Sequence, residues 1–194
     1  MPFTKAYRTH YAAVLKYVLR RTHDPESAQD IVAEVFAAAW RRRDTWLGPA
    51  EAEQLMYLYR TAYLTVQNAN RAQSRLTRLF HRAQRDPLTA PEPRADEDET
   101  AQEVLARAAA ARAYAALSAG DREVLALIAW EVLGARDVAK VLGLRTVDAA
   151  HSRIHRARKN LERGLVDVDM GMDMDTGGDA DGDATAPSAA GRGV

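Results

Sequence analysis

Residues 117–165 read LSAGDREVLALIAWEVLGARDVAKVLGLRTVDAAHSRIHRARKNLERGL, and this stretch decides the fold. Ser118 followed three residues later by Asp121 is a helix-start signature, a variant of the capping box. The helix it opens is expected to carry Val124, Leu125, Ile128 and Val132 and to end at Gly134. A short helix over Arg136 to Leu142 follows, with Val138, Ala139 and Leu142 inward, and Gly143 marks a tight turn. The last helix repeats Val147, Ala150, Ile154, Ala157, Leu161 and Leu165 at steps of three and four. At about 100° per residue, Asp148, Ser152, His155, Arg156, Lys159 and Arg163 fall on the opposite face, with His151 and Arg158 at its edge. A short helix, a glycine turn and a helix with an apolar back and a basic front form a helix-turn-helix pattern, its second helix suited to a major groove. An ordinary three-helix bundle with a solvated basic face fits the same residues equally well.

Composition narrows the field. The chain has 194 residues, enough for one medium domain or two small ones, and no cysteine. Disulfides and thiolate metal sites are therefore excluded, and a reducing compartment suits it. No apolar run reaches the length of a membrane span, and Met1 to Arg21 is amphipathic rather than a signal peptide, so a cytoplasmic protein without membrane contact is expected. The net charge of zero conceals segregation. Basic residues outnumber acidic ones 14 to 8 over 1–90 and 11 to 6 over 107–165. The balance reverses to 1 against 6 over 91–106 and 1 against 7 over 166–194. Two basic units separated and followed by acidic segments suit polyanion-binding modules on acidic linkers. Abundant alanine and few aromatics point to an all-α protein.

Working back to the start, Phe3, Tyr7, Tyr11, Val14 and Val18, with Leu15 and Leu19 beside them, form a helical stripe ending near Arg21. Asp24-Pro25-Glu26 opens a second helix with a cap, a proline at its first position and an acid in its first turn. Ala28, Ile31, Val32, Val35, Phe36, Ala39 and Trp40 are expected on its inner face, and Asp30 and Glu34 share an outer one. Asp44 to Ala52 reads as a loop. Glu53 to about Arg82 reads as one long helix with Leu55, Leu58, Tyr59, Ala62 and Val66 inward. Asp86 to Thr100, with three prolines and an acidic run, is expected to be a flexible linker. A helix from about Gln102 to Leu117 leads into the decisive stretch, and the aspartate-rich residues after Leu165 cannot bury a core.

Two blocks carry a resemblance. D-R-E-V-L-A-L, D-V-A-K-V-L-G-L and S-R-I-H-R-A-R-K-N-L resemble region 4 of bacterial sigma factors of the extracytoplasmic-function (ECF) group, a reader of the −35 promoter element. D-P-E-S-A-Q-D-I-V-A-E-V-F-A-A-A-W-R-R-R and Y-L-Y-R-T-A resemble region 2 of the same group. The resemblance implies two small helical domains, a region 2 bundle over 1–84 and a region 4 helix-turn-helix over 104–165. An acidic linker over 85–103 would join them, and a disordered acidic tail would occupy 166–194. It implies binding to core RNA polymerase through the clamp and flap, promoter recognition and opening at the −10 element, and an anti-sigma factor as a further partner. Asp30 and Glu34 fall where the family meets the polymerase clamp. The loop holding Trp46 lies where a flipped −10 base is held, and Arg60, Asn68, Arg71, Arg75 and Arg78 are candidate −10 contacts. His151, Ser152, His155 and Arg156 fall at the −35 contacts, with Lys159 and Arg163 as phosphate anchors. Two departures stand out: Ala33 replaces the glutamine usual beside Glu34, and Tyr63-Leu64 replaces the family's Arg-Asn.

An enzyme has little support. His151 and His155 are spaced to share a metal, but H-S-R-I-H lacks the glutamate of a metalloprotease helix and lies among arginines. No phosphate loop, dinucleotide fingerprint or nucleophile elbow occurs, so no cofactor and no metal are expected. The remaining rivals are a dimeric helix-turn-helix regulator, with residues 1–84 as a sensing or dimerisation domain, and a helical adaptor without DNA affinity.

Overall fold

The computed structural model describes residues 2–22, 24–80 and 100–175. Among them are eight α-helices and no strand. The N-terminal half is built from α1 (Pro2–Thr22), α2 (Pro25–Arg41), α3 (Arg43–Trp46) and α4 (Glu51–Phe80). The C-terminal half consists of α5 (Ala101–Ala116), α6 (Ala119–Ala129), α7 (Ala135–Leu142) and α8 (Val147–Asp175).

The helix boundaries follow local chemistry. Asp24 caps α2 by accepting from the Ser27 amide at 2.8 Å, with Pro25 at the first position, where its missing N–H costs nothing. Thr100 opens α5 with a complete capping box, its hydroxyl and amide both paired to Glu103, so helix begins at Ala101, inside the stretch 85–103 expected as linker. Ser118 caps α6 through the Asp121 amide at 3.1 Å. The Asp121 carboxylate does not reciprocate; it accepts from Asn160 of α8 at 2.9 Å and ties the two helices together.

Several expectations need correction. Asp44 to Ala52 is not wholly loop, because α3 forms within it and α4 begins at Glu51. α6 ends at Ala129, five residues before Gly134, which serves instead as the N-cap of α7. Val132 therefore lies outside any helix, 82% exposed, with φ 54°. Trp40 is 47% exposed, because its ring packs edge-on to Phe3 (centroids 4.8 Å) under the Arg43 guanidinium instead of entering the core. α8 does not stop at Leu165 but continues to Asp175, and Leu165 and Val147 at the two ends of its apolar stripe are exposed. Residues 81–99 and 176–194, most of the linker and the end of the tail, lie outside the described residues.

The core is continuous. α1, α2 and α4 bury Val14, Tyr17, Val18, Val32, Val35, Phe36, Leu58, Tyr59, Ala62 and Val66 against one another. α6, α7 and α8 bury Val124, Leu127, Val138, Val141, Leu142, Ala150, Ile154 and Ala157. α5 lies along α8, where Ala113 meets Gly164 closely enough that a Cβ on that glycine would sit 3.4 Å from the alanine's own. The two halves then pack together, α7 along α4, so their buried residues form one cluster.

Candidate nucleic-acid interface

Gly143 sets the geometry of the helix-turn-helix. Its φ of 66° is left-handed, a conformation glycine adopts without a Cβ clash, and it ends α7 through amide bonds back to Ala139 and Lys140. Leu144 bonds back to the Ala139 carbonyl at 2.9 Å, and Thr146 then caps α8 by accepting from the Ala149 amide at 3.1 Å. Ala150, Ile154 and Ala157 hold α8 against α6 and α7. This anchoring leaves His151, Ser152, His155, Arg156, Lys159 and Arg163 all exposed on one face, as expected, with Arg158 beside them. Asp148 sits in the first turn, where its charge complements the positive end of the helix.

The expected −10 residues are not gathered in this way. Trp46 is a core residue, 4% exposed, donating its indole N–H to the Gln54 carbonyl at 3.1 Å and packing against Phe3. Gln54, itself buried, donates to the Pro49 carbonyl at 2.8 Å, so the indole and the amide pin the turn between α3 and α4. Trp46 thus shapes a turn and has no ring face open to a base. Arg60 is half-buried and donates to the Val141 carbonyl of α7 at 3.0 Å. Asn68 and Arg71 are exposed farther along α4. The side chains of Arg75 and Arg78 lie outside the described residues. On α2, Asp30 and Glu34 are exposed one turn apart, opposite the buried Ile31, Val32 and Val35.

Sequence reasoning missed a polar cluster between the halves. Arg21, with its side chain 7% exposed, donates to Glu123 at 2.9 Å and to Glu131 at 3.3 Å. Tyr17 donates its hydroxyl to Glu123 at 2.9 Å, and Tyr59 donates to Glu131 at 3.4 Å. Arg20 reaches Glu131 from the rim at 3.3 Å. Burial alone would lower the Arg21 pKa, but Tyr17, Glu123 and Glu131 together raise it. Burial, and then repulsion from Glu123, pushes Tyr17 well above the ordinary phenol range. Tyr17 and Arg21 lie one helical turn apart on α1 and point into the same interface; that spacing was the available signal, and the apolar stripe of Phe3, Tyr7 and Tyr11 obscured it.

Among the described residues no group of three or more His, Asp or Glu side chains could hold a metal, and no helix is long and apolar enough to cross a membrane.

Residues 6–76, from α1 through most of α4, match the family model Sigma-70 region 2. This bears out the region 2 part of the resemblance read from the sequence. The chain is similar to the sigma factor RpoE of Bartonella quintana, solved in complex with the anti-sigma factor NepR. The TM-score is 0.61 at 20% identity, over 84% of this chain and 96% of that one. It is similar also to CnrH, solved in complex with the cytosolic domain of CnrY, with a TM-score of 0.53 at 26% identity, over 86% of this chain and 88% of that one. A search of curated proteins finds no match for the sequence.

Proposed function

We propose that the chain is a promoter-specificity factor of the ECF type, which binds core RNA polymerase and directs it to two-part promoters. The observation that carries this reading is the Sigma-70 region 2 match over residues 6–76, in one chain with a helix-turn-helix whose α8 exposes His151, Ser152, His155, Arg156, Lys159 and Arg163. Asp30 and Glu34 supply an acidic face for a basic polymerase surface, where charge complementarity sets rate and specificity. His151, Ser152, His155 and Arg156 read base edges of the −35 element, Arg156 by the bidentate geometry a guanidinium offers guanine, while Lys159 and Arg163 hold phosphates. Arg60, Asn68, Arg71 and Arg75 take the −10 element, with cations on the backbone of the opened strand. The chemistry of RNA synthesis belongs to polymerase, and the chain contributes only binding energy. The anti-sigma factor NepR, in complex with the similar RpoE, supports an inhibitory protein as a further partner. The test is transcription in vitro with core polymerase on a genomic library, with start sites mapped. Start sites sharing a two-part upstream sequence support the reading; transcripts no different from those of core polymerase alone reject it.

A further inference from the structure

Every donor in the interdomain cluster comes from one half of the molecule and every carboxylate from the other. Tyr17, Arg20 and Arg21 lie on α1 and Tyr59 on α4; Glu123 lies on α6 and Glu131 just after it. Glu123 accepts from two Arg21 nitrogens and the Tyr17 hydroxyl, Glu131 from one Arg21 nitrogen and the Tyr59 hydroxyl, and the two tyrosine rings stack at 5.0 Å. Neither half satisfies these groups alone. Arg21 and the two glutamates are 5–10% exposed, so the pairing is a buried one. The same closure bears on α4: Arg60 donates to Val141, and its guanidinium fills the space where a Cβ on Gly143 would stand. At the rim, Lys140 of α7 approaches Glu53 of α4 at 3.8 Å.

We infer that Arg21, clasped by Glu123 and Glu131, is a latch that holds the region 2 and helix-turn-helix modules in a closed state, with Arg60 committed to α7 and withheld from nucleic acid. The role of Arg60 toward DNA rests on the proposed function above; the latch itself does not. The geometry gives the latch a definite failure mode. Removing one partner of a buried ion cluster leaves an uncompensated charge, which strongly disfavours the arrangement that buries it. Replacing all the charges by apolar groups of similar size preserves that arrangement. Truncation of Arg21 or of Glu123 should therefore open the molecule, and apolar replacement of the whole cluster, tyrosine hydroxyls included, should leave it shut.

The chain has no cysteine, so Thr9→Cys on α1 and Glu162→Cys on α8, both exposed, accept a donor–acceptor dye pair without competition. Energy transfer in the full chain should be high and should fall in Arg21→Ala, with the closed-to-open ratio reduced by on the order of a hundredfold. Glu123→Ala breaks the cluster from the other side, taking away the acceptor of the Tyr17 hydroxyl and of two Arg21 nitrogens, so that a fault in α1 folding cannot be mistaken for opening; circular dichroism checks helical content in both. The apolar variant Arg21→Met, Glu123→Leu, Glu131→Met with Tyr17→Phe and Tyr59→Phe, which removes the two hydroxyls together with their acceptors, should retain wild-type transfer. With a random-sequence single-stranded DNA pool as probe, the two opened proteins should bind at least tenfold more tightly than wild type, and adding Arg60→Ala to either should remove most of that gain. Wild-type transfer in both single variants overturns the latch, as does opening of the apolar variant; opened proteins with unchanged DNA affinity overturn the withholding of Arg60. Energy transfer involves neither polymerase nor promoter, so failure of the latch is distinct from failure of the sigma-factor reading, which the transcription assay reports.

Discussion

Val132 and Gly143 adopt the same left-handed backbone, with φ of 54° and 66°, and only one of them is a residue suited to it. A β-branched side chain there crowds the following carbonyl, at a cost of about 1–2 kcal/mol, and Val132 recovers little of it because it is 82% exposed. Val132→Gly should therefore stabilise the chain by about 1 kcal/mol in urea denaturation, net of the entropy glycine adds to the unfolded chain. An unchanged or lower midpoint would show that the exposed valine packs better than its surface suggests. Gly143→Ala should cost more than 1 kcal/mol, roughly, since the new methyl group meets both a left-handed φ and the Arg60 guanidinium. The contrast shows where sequence reading ends: a glycine announces its turn, whereas a valine in the same conformation reads as one more apolar helix position. Tyr59 yields a pH prediction. Burial, then repulsion from Glu131, pushes its pKa up to about 12. The folded chain thus keeps this proton longer than the unfolded one, whose phenol titrates near 10. The resulting stability is complete below pH 10 and is lost as pH rises through about 12, so Tyr59→Phe should flatten the fall in thermal stability across that window.

At the scale of the helix, α8 was the most legible element, because residues spaced by three and four around a rigid backbone leave little freedom about which side faces the core. Ala150, Ile154 and Ala157 are buried and the basic residues exposed, as their spacing predicts. The ends were less legible: Val147 and Leu165 continue the stripe past the point where a neighbouring helix covers it. Trp46 failed for a related reason. Its type suited a base pocket, but its indole N–H found the Gln54 carbonyl, and a residue's type does not reveal which backbone group its side chain will meet. On the proposed function, Arg156→Ala should cost about 1–3 kcal/mol on promoters with an intact −35 element and reduce discrimination against scrambled ones. Lys159→Ala should weaken both alike and flatten the salt dependence by about one counterion. Transcription from matched promoters separates the two; full discrimination by Arg156→Ala would reject the assignment of that residue. For α2, reversing Asp30 and Glu34 to lysine should abolish polymerase binding with helical content unchanged, and wild-type affinity would reject that surface.

For the whole molecule, two modules could be read from charge segregation and motif order, but their packing against each other could not. Arg21 lies about a hundred residues from both Glu123 and Glu131, and nothing in the sequence says that it will share a buried site with them. The closed arrangement predicts a thermodynamic signature. Because α7 lies on α4 and the buried clusters merge, wild type should unfold in one cooperative calorimetric transition, and Arg21→Ala in two. Two transitions in wild type would mean that the interface adds too little to couple the halves.

Trp130 sits at this seam. Its ring lies 5.3 Å beneath the Arg20 guanidinium of the opposite half and 6.2 Å from Tyr114, with 38% of its surface open. Indole emission responds to nearby charge and to water, so when the halves part and Arg20 leaves, the fluorescence of this residue must change. The other two tryptophans, Trp40 and Trp46, both belong to α2 and α3, and replacing them with phenylalanine would leave a protein that emits from the seam alone. Such a protein would signal its own opening in stopped flow, unlabelled, as polymerase or an inhibitor is mixed in.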